Sequence, residues 1–183
     1  MIQLRANLIT LTRDCDAKLI PSATPVTLRR GEAVMLTQAL GGSYTVELHG
    51  NLVRIENKDA DALGFTVEEL PIAMYSNESG IVDEEQVWAV LATCYDPEIP
   101  VNITELGLVY RCEVVHQEGT NHIIIEMTLT APGCSMGPVM MSEIDQKLKK
   151  IPGVTSTDIQ LVFDPPWNQA LMSEAAKLQL GML

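Results

Sequence analysis

The hydrophobic pattern of the chain changes its period at one Pro-Gly pair, and this change constrains the fold most strongly. Before the pair, apolar residues alternate as in a half-buried strand: Ile123, Ile125, Met127 and Leu129. After it, apolar residues recur at helical spacing: Met140, Ile144, Leu148 and Ile151. The sequence therefore predicts a strand that turns at Pro132-Gly133 into a helix, with Cys134 at the corner.

The predicted corner favours the negatively charged form of Cys134, because a helix N-terminus stabilises negative charge. The unpaired N–H groups and the helix dipole stabilise a thiolate, which is the form that reacts and binds metals. Pro138 suits the first helical turn, which places the helix N-terminus just after the cysteine. Spacing alone leaves two interpretations equally open: a reactive or metal-binding thiol, or an ordinary turn that holds a small residue.

The second part of the chain mixes helical and strand patterns. Asp83 followed by Gln86 resembles a capping box, and alternating runs on both sides of residues 117–121 predict a β-hairpin. A third strand is predicted at 159–163, and Asn168 is predicted to cap a last helix at 169–180. The order helix, strand, strand, helix, strand, helix predicts a three-stranded sheet with helices packed on it.

The first part of the chain reads as all-β. Residues 8–12 alternate weakly, and four short candidate strands lie at roughly even spacing, at 26–28, 33–37, 44–48 and 52–55. One helical turn ended by Gly64 follows, and a polar stretch at 74–80 predicts the domain boundary. The predicted fold class is therefore α+β: a small all-β N-terminal domain, residues 1–78, followed by an α/β sandwich domain, residues 79–183.

The charge balance excludes several classes of partner. The 24 Asp and Glu residues outnumber the 12 Lys and Arg residues, which leaves a net charge of −12. Nucleic acids and anionic membranes both require a basic face, so neither is an expected partner. The four cysteines are widely spaced, which disfavours a disulfide framework or a structural zinc site. Because no apolar run is long enough to span a membrane and no signal-like N-terminus is seen, we expect a cytoplasmic protein.

Carboxylates supply further candidates for a site. Asp96 and Glu98 lie in a proline-stiffened loop that follows the first predicted helix. They either join Cys134 at a weak iron or zinc site or only shape a turn. Glu105 has the same two interpretations.

A thiol-dependent hydrolase or transferase is the enzymatic alternative. Its bases would be His116 and His122, which flank the predicted hairpin turn. An extended strand from His122 to Leu129 spans about 23 Å, whereas a bond between nucleophile and base needs about 3 Å. This geometry disfavours a Cys-His dyad within one chain.

Four motifs in the second part together resemble one known family. They are Asp96-Pro-Glu-Ile-Pro-Val-Asn-Ile103, Leu106-Gly-Leu-Val-Tyr110, Met127-Thr-Leu-Thr-Ala-Pro-Gly-Cys134 and Phe163-Asp-Pro-Pro-Trp167. In this order they are similar to the iron–sulfur cluster assembly domain shared by PaaD-like proteins and the cytosolic assembly factors, over about residues 80–183. The stretches 40–46, 50–52 and 172–182 extend the resemblance to the SufT-type accessory proteins of the SUF pathway, over essentially the whole chain.

The resemblance implies a maturation factor that helps to deliver clusters to apo-proteins, without catalytic turnover. It also implies that Cys134 is the reactive cysteine, that Asp96 and Glu98 belong to an acidic loop motif, and that Thr130 lies in the strand leading to the cysteine. Iron or an iron–sulfur cluster would be held transiently, with Cys134, Asp96 and Glu98 as ligands. The implied partners are SUF assembly proteins, apo iron–sulfur client proteins and a second copy of the chain in a homodimer.

One cysteine per chain cannot supply the four thiolates of an ordinary cluster. Transient binding, ligation shared with a second Cys134, and a metal-free interaction adaptor therefore stay open.

Overall fold

A computed structural model describes residues 7–67 and 80–182 of the chain. The chain divides into two compact units: Met1–Leu70 with Pro97–Pro100, and Pro71–Asp96 with Val101–Leu183. The predicted boundary between residues 78 and 79 lies outside the described residues. Helices and sheets are both present, so the α+β class is confirmed. No helix within the described ranges is long and apolar enough to cross a membrane.

The first unit is built on a six-stranded antiparallel sheet. Its strands are β1 (Asn7–Thr10), β2 (Cys15–Ile20), β3 (Pro25–Leu28), β4 (Ala33–Leu40), β5 (Ser43–Leu48) and β6 (Asn51–Glu56). They lie in the order β1-β4-β5-β6-β2-β3. A 3-10 helix, Asn57–Leu63, follows and ends at Gly64, which adopts a left-handed conformation at φ 80°. The predicted helical turn and glycine stop are thus confirmed.

Strand β2 is not among the candidate strands that the sequence pattern predicts. Its residues, Cys-Asp-Ala-Lys-Leu-Ile, include a single β-branched side chain. The strand nevertheless pairs with β3 on one side and β6 on the other, and its Cys15 and Ala17 face the core. Pairing on both edges therefore stabilises a strand whose residues have only a weak preference for β-structure.

The described residues of the second unit form three α-helices, a short 3-10 helix and a three-stranded sheet. Its elements are α1 (Glu84–Leu91), β7 (Val109–Gln117), β8 (Thr120–Met127), α2 (Gly137–Leu148), β9 (Val154–Leu161) and α3 (Glu174–Gln179). Strand β8 is central, antiparallel to β7 and parallel to β9, and α2 forms the crossover between β8 and β9. Helix α1 packs on β7 and α2 packs on β9, so the fully buried side chains of β8 face the helices.

Helix α1 begins as predicted. The Asp83 carboxylate accepts a hydrogen bond from the Gln86 N–H at 2.9 Å, and the Gln86 side chain accepts one from the Asp83 N–H at 3.0 Å. This reciprocal capping box satisfies two N–H groups that a helix start otherwise leaves unpaired. Strand β9 begins at Val154, earlier than predicted, and ends before Phe163.

The last predicted helix, 169–180, is wrong in extent. Asn168 caps only a 3-10 turn, Gln169–Leu171, and Met172 is extended at ψ 145°. Helix α3 starts again after Ser173, whose hydroxyl accepts a hydrogen bond from the Ala176 N–H at 3.0 Å. The Ser173 N–H also binds the carbonyl oxygen of Glu105 at 2.9 Å. A long-range contact therefore interrupts a helix that the local pattern predicts as continuous.

Candidate functional site

Cys134 lies in the corner between β8 and α2. Its N–H donates to the carbonyl oxygen of Ala131 at 3.3 Å, and its own carbonyl oxygen accepts from the Gly137 N–H at 3.2 Å. Gly137 is the first residue of α2, so the thiol precedes the helix by less than one turn. The Cys134 side chain is half-buried, between an exposed Gly133 and an exposed Ser135. The corner therefore holds the backbone of Cys134 firmly and leaves its sulfur partly accessible.

Two glycines make this corner possible. Gly133 adopts φ 79°, a left-handed conformation that other residues adopt only at a cost. A Cβ added to Gly137 would lie 2.9 Å from Leu161 Cδ1 and 3.0 Å from Leu129 Cδ1. The start of α2 therefore packs directly against Leu161 at the end of β9 and Leu129 in the loop after β8.

The other three cysteines are shielded from solvent to different degrees. Cys15 and Cys94 are buried, and Cys112 is half-buried on β7. Burial raises the pKa of Cys15 to about 11 and the pKa values of Cys94 and Cys112 to about 12. These three groups are therefore protonated thiols at neutral pH, as their positions on core-facing strands and helices predict.

Thr130 and Thr128 lie between the end of β8 and the corner. Thr130 is half-buried and stands beyond Met127, the last residue of β8, so it lies in the loop rather than in the predicted strand. Thr128 is 1% exposed, and its hydroxyl has no hydrogen-bond partner among the described residues. Sequence reasoning missed this buried hydroxyl because a threonine at a strand end carries no distinguishing signal.

The two acidic-loop residues fall in different units. Asp96 belongs to the second unit, is buried, and donates its N–H to the carbonyl oxygen of Val101 at 3.4 Å. Glu98 is exposed and belongs to the first unit with the rest of Pro97–Pro100. Within residues 7–67 and 80–182, no three His, Cys, Asp or Glu side chains are grouped so that they could hold a metal ion. Ligation by Cys134, Asp96 and Glu98 therefore stays a prediction.

Glu105 anchors the C-terminal segment of the second unit. Its carboxylate accepts a hydrogen bond from the Ser173 hydroxyl, and its carbonyl oxygen accepts one from the Ser173 N–H. Next to it, the Trp167 indole N–H donates to the carbonyl oxygen of Leu106 at 2.8 Å. These bonds give Glu105 a structural role in the second unit.

His116 and His122 both contact polar neighbours on the sheet of the second unit. His116 Nδ1 lies 2.7 Å from Asn121 Oδ1, and His122 contacts Ser156 Oγ at 2.5 Å and Thr120 Oγ1 at 2.9 Å. Strand β8 is extended from Thr120 to Met127, which separates His122 from the Cys134 end by about 17 Å along the strand. The structure thus gives no support to a Cys-His dyad within one chain.

Asn121 is a hub of hydrogen bonds at the opposite end of β8. Its amide nitrogen donates to the carbonyl oxygens of Gly80 at 3.0 Å and Gly153 at 2.8 Å. Its amide oxygen accepts from the Val82 N–H at 3.4 Å. The side chain is 4% exposed, so these bonds form away from water and fasten the start of the unit to the sheet.

Comparisons with known proteins converge on the segment that contains the corner. Residues 84–161 match the sequence model of a family described as iron–sulfur cluster assembly protein. A relative from Porphyromonas gingivalis named Fe-S protein maturation auxiliary factor is 39% identical over 107 residues, which are 58% of this chain and 99% of the relative. The Fe-S protein maturation auxiliary factor SufT of Staphylococcus aureus is 40% identical over 87 residues, which are 48% of this chain and 96% of the relative.

Among solved structures, a domain of unknown function from Bacillus anthracis aligns with a TM-score of 0.49 at 36% identity. The alignment covers 61% of this chain and 99% of that domain. The extension of the resemblance into the first unit rests on the sequence motifs and stays a prediction.

Proposed function

Because the chain belongs to the family of iron–sulfur cluster assembly proteins, we propose that it is an auxiliary factor in the maturation of iron–sulfur proteins. It works in the cytoplasm within the SUF pathway and acts without catalytic turnover. Cys134 is its point of contact with iron or a cluster as cargo. The observation that carries this proposal is the half-buried thiol, held just before α2 inside the segment that matches the family.

The setting of Cys134 suits a brief contact rather than permanent storage. Cys134 precedes the first turn of α2, whose N–H groups favour negatively charged groups nearby. One thiolate per chain is three short of the four that an ordinary cluster requires. The cargo is therefore held for a short time, either with Asp96 and Glu98 as oxygen ligands or with Cys134 of a second copy across a two-fold axis.

The other cysteines do not substitute for Cys134 because burial raises the pKa of each. A thiol with a pKa of about 11 or 12 must lose its proton before it can ligate iron, and this costs free energy at neutral pH. The partners follow from the role: SUF assembly proteins supply the cargo, and apo iron–sulfur client proteins receive it.

The test combines complementation with metal titration. We expect Cys134→Ser to fail to restore iron–sulfur enzyme activity in a deletion strain, whereas Cys112→Ser, which changes a half-buried thiol of β7, restores it. In an anaerobic iron titration, the native protein and Cys112→Ser should develop a thiolate-to-iron charge-transfer band that Cys134→Ser lacks.

Two outcomes count against the proposal in different ways. Full rescue by Cys134→Ser would refute the role of the thiol. A native protein that rescues the strain but never develops the band would instead identify a metal-free adaptor.

A further inference from the structure

Three of the four sequence motifs meet at one end of the sheet in the second unit, the end that carries Cys134. Strands β8 and β9 are parallel, so their last residues lie at the same end, and the antiparallel β7 begins there. The Val162 N–H donates to the carbonyl oxygen of Met127 at 2.8 Å, and the Thr128 N–H donates to that of Leu108 at 2.8 Å. The residues that follow β9 and those that precede β7 are therefore neighbours of the loop that leads to Cys134.

Phe163 is an exposed aromatic residue at this end of the sheet. It continues the alternation of β9 after Leu161, whose side chain packs against Gly137 at the start of α2. The bond from the Val162 N–H extends the pairing with β8 one residue beyond β9, so Phe163 lies on the same side of the sheet as Leu161. Leu161 is half-buried, whereas Phe163 is 43% exposed. The apolar side of β9 thus ends in an exposed ring, next to the turn that precedes α2.

The backbone is fixed on both sides of Phe163. Val162 is bonded to β8 on one side, and on the other the carbonyl oxygen of Pro165 accepts a hydrogen bond from the Tyr110 hydroxyl at 3.0 Å. Because the segment is already held, covering Phe163 with a partner costs little conformational entropy. Aromatic residues in such positions are the usual anchors of protein interfaces.

Leu171 is a second exposed apolar residue at the same end. Its backbone lies against Gly107 in the loop before β7, and the residue is 42% exposed. Phe163 follows one edge strand of the sheet and Leu171 lies before the other, and three adjacent strands span about 10 Å. This width is close to the diameter of one α-helix, so a single element of a partner can contact both residues.

Asp164 determines which partner this surface fits. Its carboxylate is exposed and forms no hydrogen bond or ion pair within residues 7–67 and 80–182. A second copy docked here across a two-fold axis would bring two Asp164 carboxylates together, and like charges oppose association. The net charge of −12 adds to this repulsion. The surface therefore fits a different protein, which offers an apolar side chain beside a Lys or Arg.

We propose that Phe163, Asp164 and Leu171 form a docking surface for apo iron–sulfur client proteins. An apolar side chain of the client packs on Phe163 and Leu171, and a Lys or Arg of the client pairs with Asp164. This inference rests on the proposed function, because it identifies the surface that holds the client while Cys134 acts.

The test measures binding of the full chain to the apo-form of the iron–sulfur enzyme assayed in the deletion strain. Phe163→Ala removes the ring, Asp164→Asn removes the charge and keeps the shape, and Leu178→Ala removes a side chain from a residue of α3 that is 66% exposed. We expect Phe163→Ala to raise the Kd about tenfold or more, as for an aromatic interface anchor. Asp164→Asn should raise it about threefold at low salt and weaken its dependence on salt, and Leu178→Ala should leave it unchanged.

Three results would overturn the inference. They are a native chain that does not bind the apo-enzyme, equal Kd values for Phe163→Ala and Leu178→Ala, and a native dimer that Phe163→Ala dissociates in analytical ultracentrifugation. The third would assign the surface to a second copy. An unchanged salt dependence in Asp164→Asn would overturn the pairing with a basic group. If Phe163→Ala does not fold, Asp164→Lys, which reverses an exposed charge, must raise the Kd instead.

Expression level separates docking from chemistry in the deletion strain. Phe163→Ala should restore enzyme activity poorly at native expression and fully when overproduced, because mass action offsets a raised Kd. Cys134→Ser should fail at both levels. Full rescue by Phe163→Ala at native expression, or none on overproduction, would overturn the docking role. Failure of the proposed function would look different: Cys134→Ser would rescue the strain while Phe163→Ala still weakened binding.

Discussion

Gly107 allows the C-terminal segment to lie directly on the loop before β7. Its φ is 69°, and a Cβ there would lie 2.3 Å from the carbonyl oxygen of Leu171 and 2.8 Å from its carbonyl carbon. Both are backbone atoms, so no change of rotamer relieves the overlap. The substitution Gly107→Ala must therefore displace the segment that contains Leu171.

The expected cost follows from the contacts that this displacement breaks. A left-handed alanine costs about 1 kcal/mol. The Trp167 indole bond to Leu106, at 2.8 Å, and the two bonds that Ser173 donates to Glu105, from its N–H and its hydroxyl, are then lost. At about 1 kcal/mol each, they bring the loss in free energy of unfolding to about 4 kcal/mol.

Gly119→Ala is the matched control. Gly119 has φ 79°, yet a Cβ there meets nothing within 4 Å, so only the backbone term of about 1 kcal/mol applies. Urea unfolding followed by tryptophan fluorescence measures both variants, and the emission of Trp167 reports the segment itself. Equal losses in the two variants would refute the argument, because the contact with Leu171 would then contribute nothing.

Three further predictions concern other parts of the second unit. Asn121→Ala should lower the free energy of unfolding by about 4 kcal/mol in urea, because it removes four side-chain hydrogen bonds of a buried residue at about 1 kcal/mol each; a loss below about 1 kcal/mol would contradict this. A hydrogen bond from Lys149 holds the pKa of Asp145 below its usual value. The stability this contributes is present above the unfolded pKa of about 4 and is lost as the pH falls through the folded value, so the advantage over Asp145→Asn should shrink on acidification; a constant difference would argue against it. Iodoacetamide at about pH 8 should add one alkyl group per native chain, at Cys134, because protonated thiols react slowly; mass spectrometry showing equal labelling of Cys112 would count against the assigned shielding.

The sequence predicts those elements whose signals are local. Asp83 and Gln86 mark the start of α1 because a capping box is complete within four residues. The change of period around Pro132-Gly133 predicts α2 because strand and helix patterns differ over a short window. The position of Cys134 at the corner follows from the same pattern.

Features that depend on distant partners escape this reasoning. Strand β2 is specified by neighbours on both of its edges, and the break at Met172 depends on Glu105, far away in sequence. The buried hydroxyl of Thr128 and the bond between Thr45 and Pro97 are likewise invisible to a local window. The position of the corner is thus easier to predict than the contacts that hold its surroundings.

The path of the chain between the two units determines which fragments a single cut produces. The chain leaves the first unit after Leu70, returns for Pro97–Pro100 and then leaves it again. A single cut between residues 68 and 79 therefore produces two fragments that both carry part of the first unit. The fragment from residue 80 onward would keep the segment that binds Thr45 but lose the sheet that holds it. If the two fragments are produced separately and mixed, they should associate, because Pro97–Pro100 of the second fragment belongs to the same unit as the first fragment.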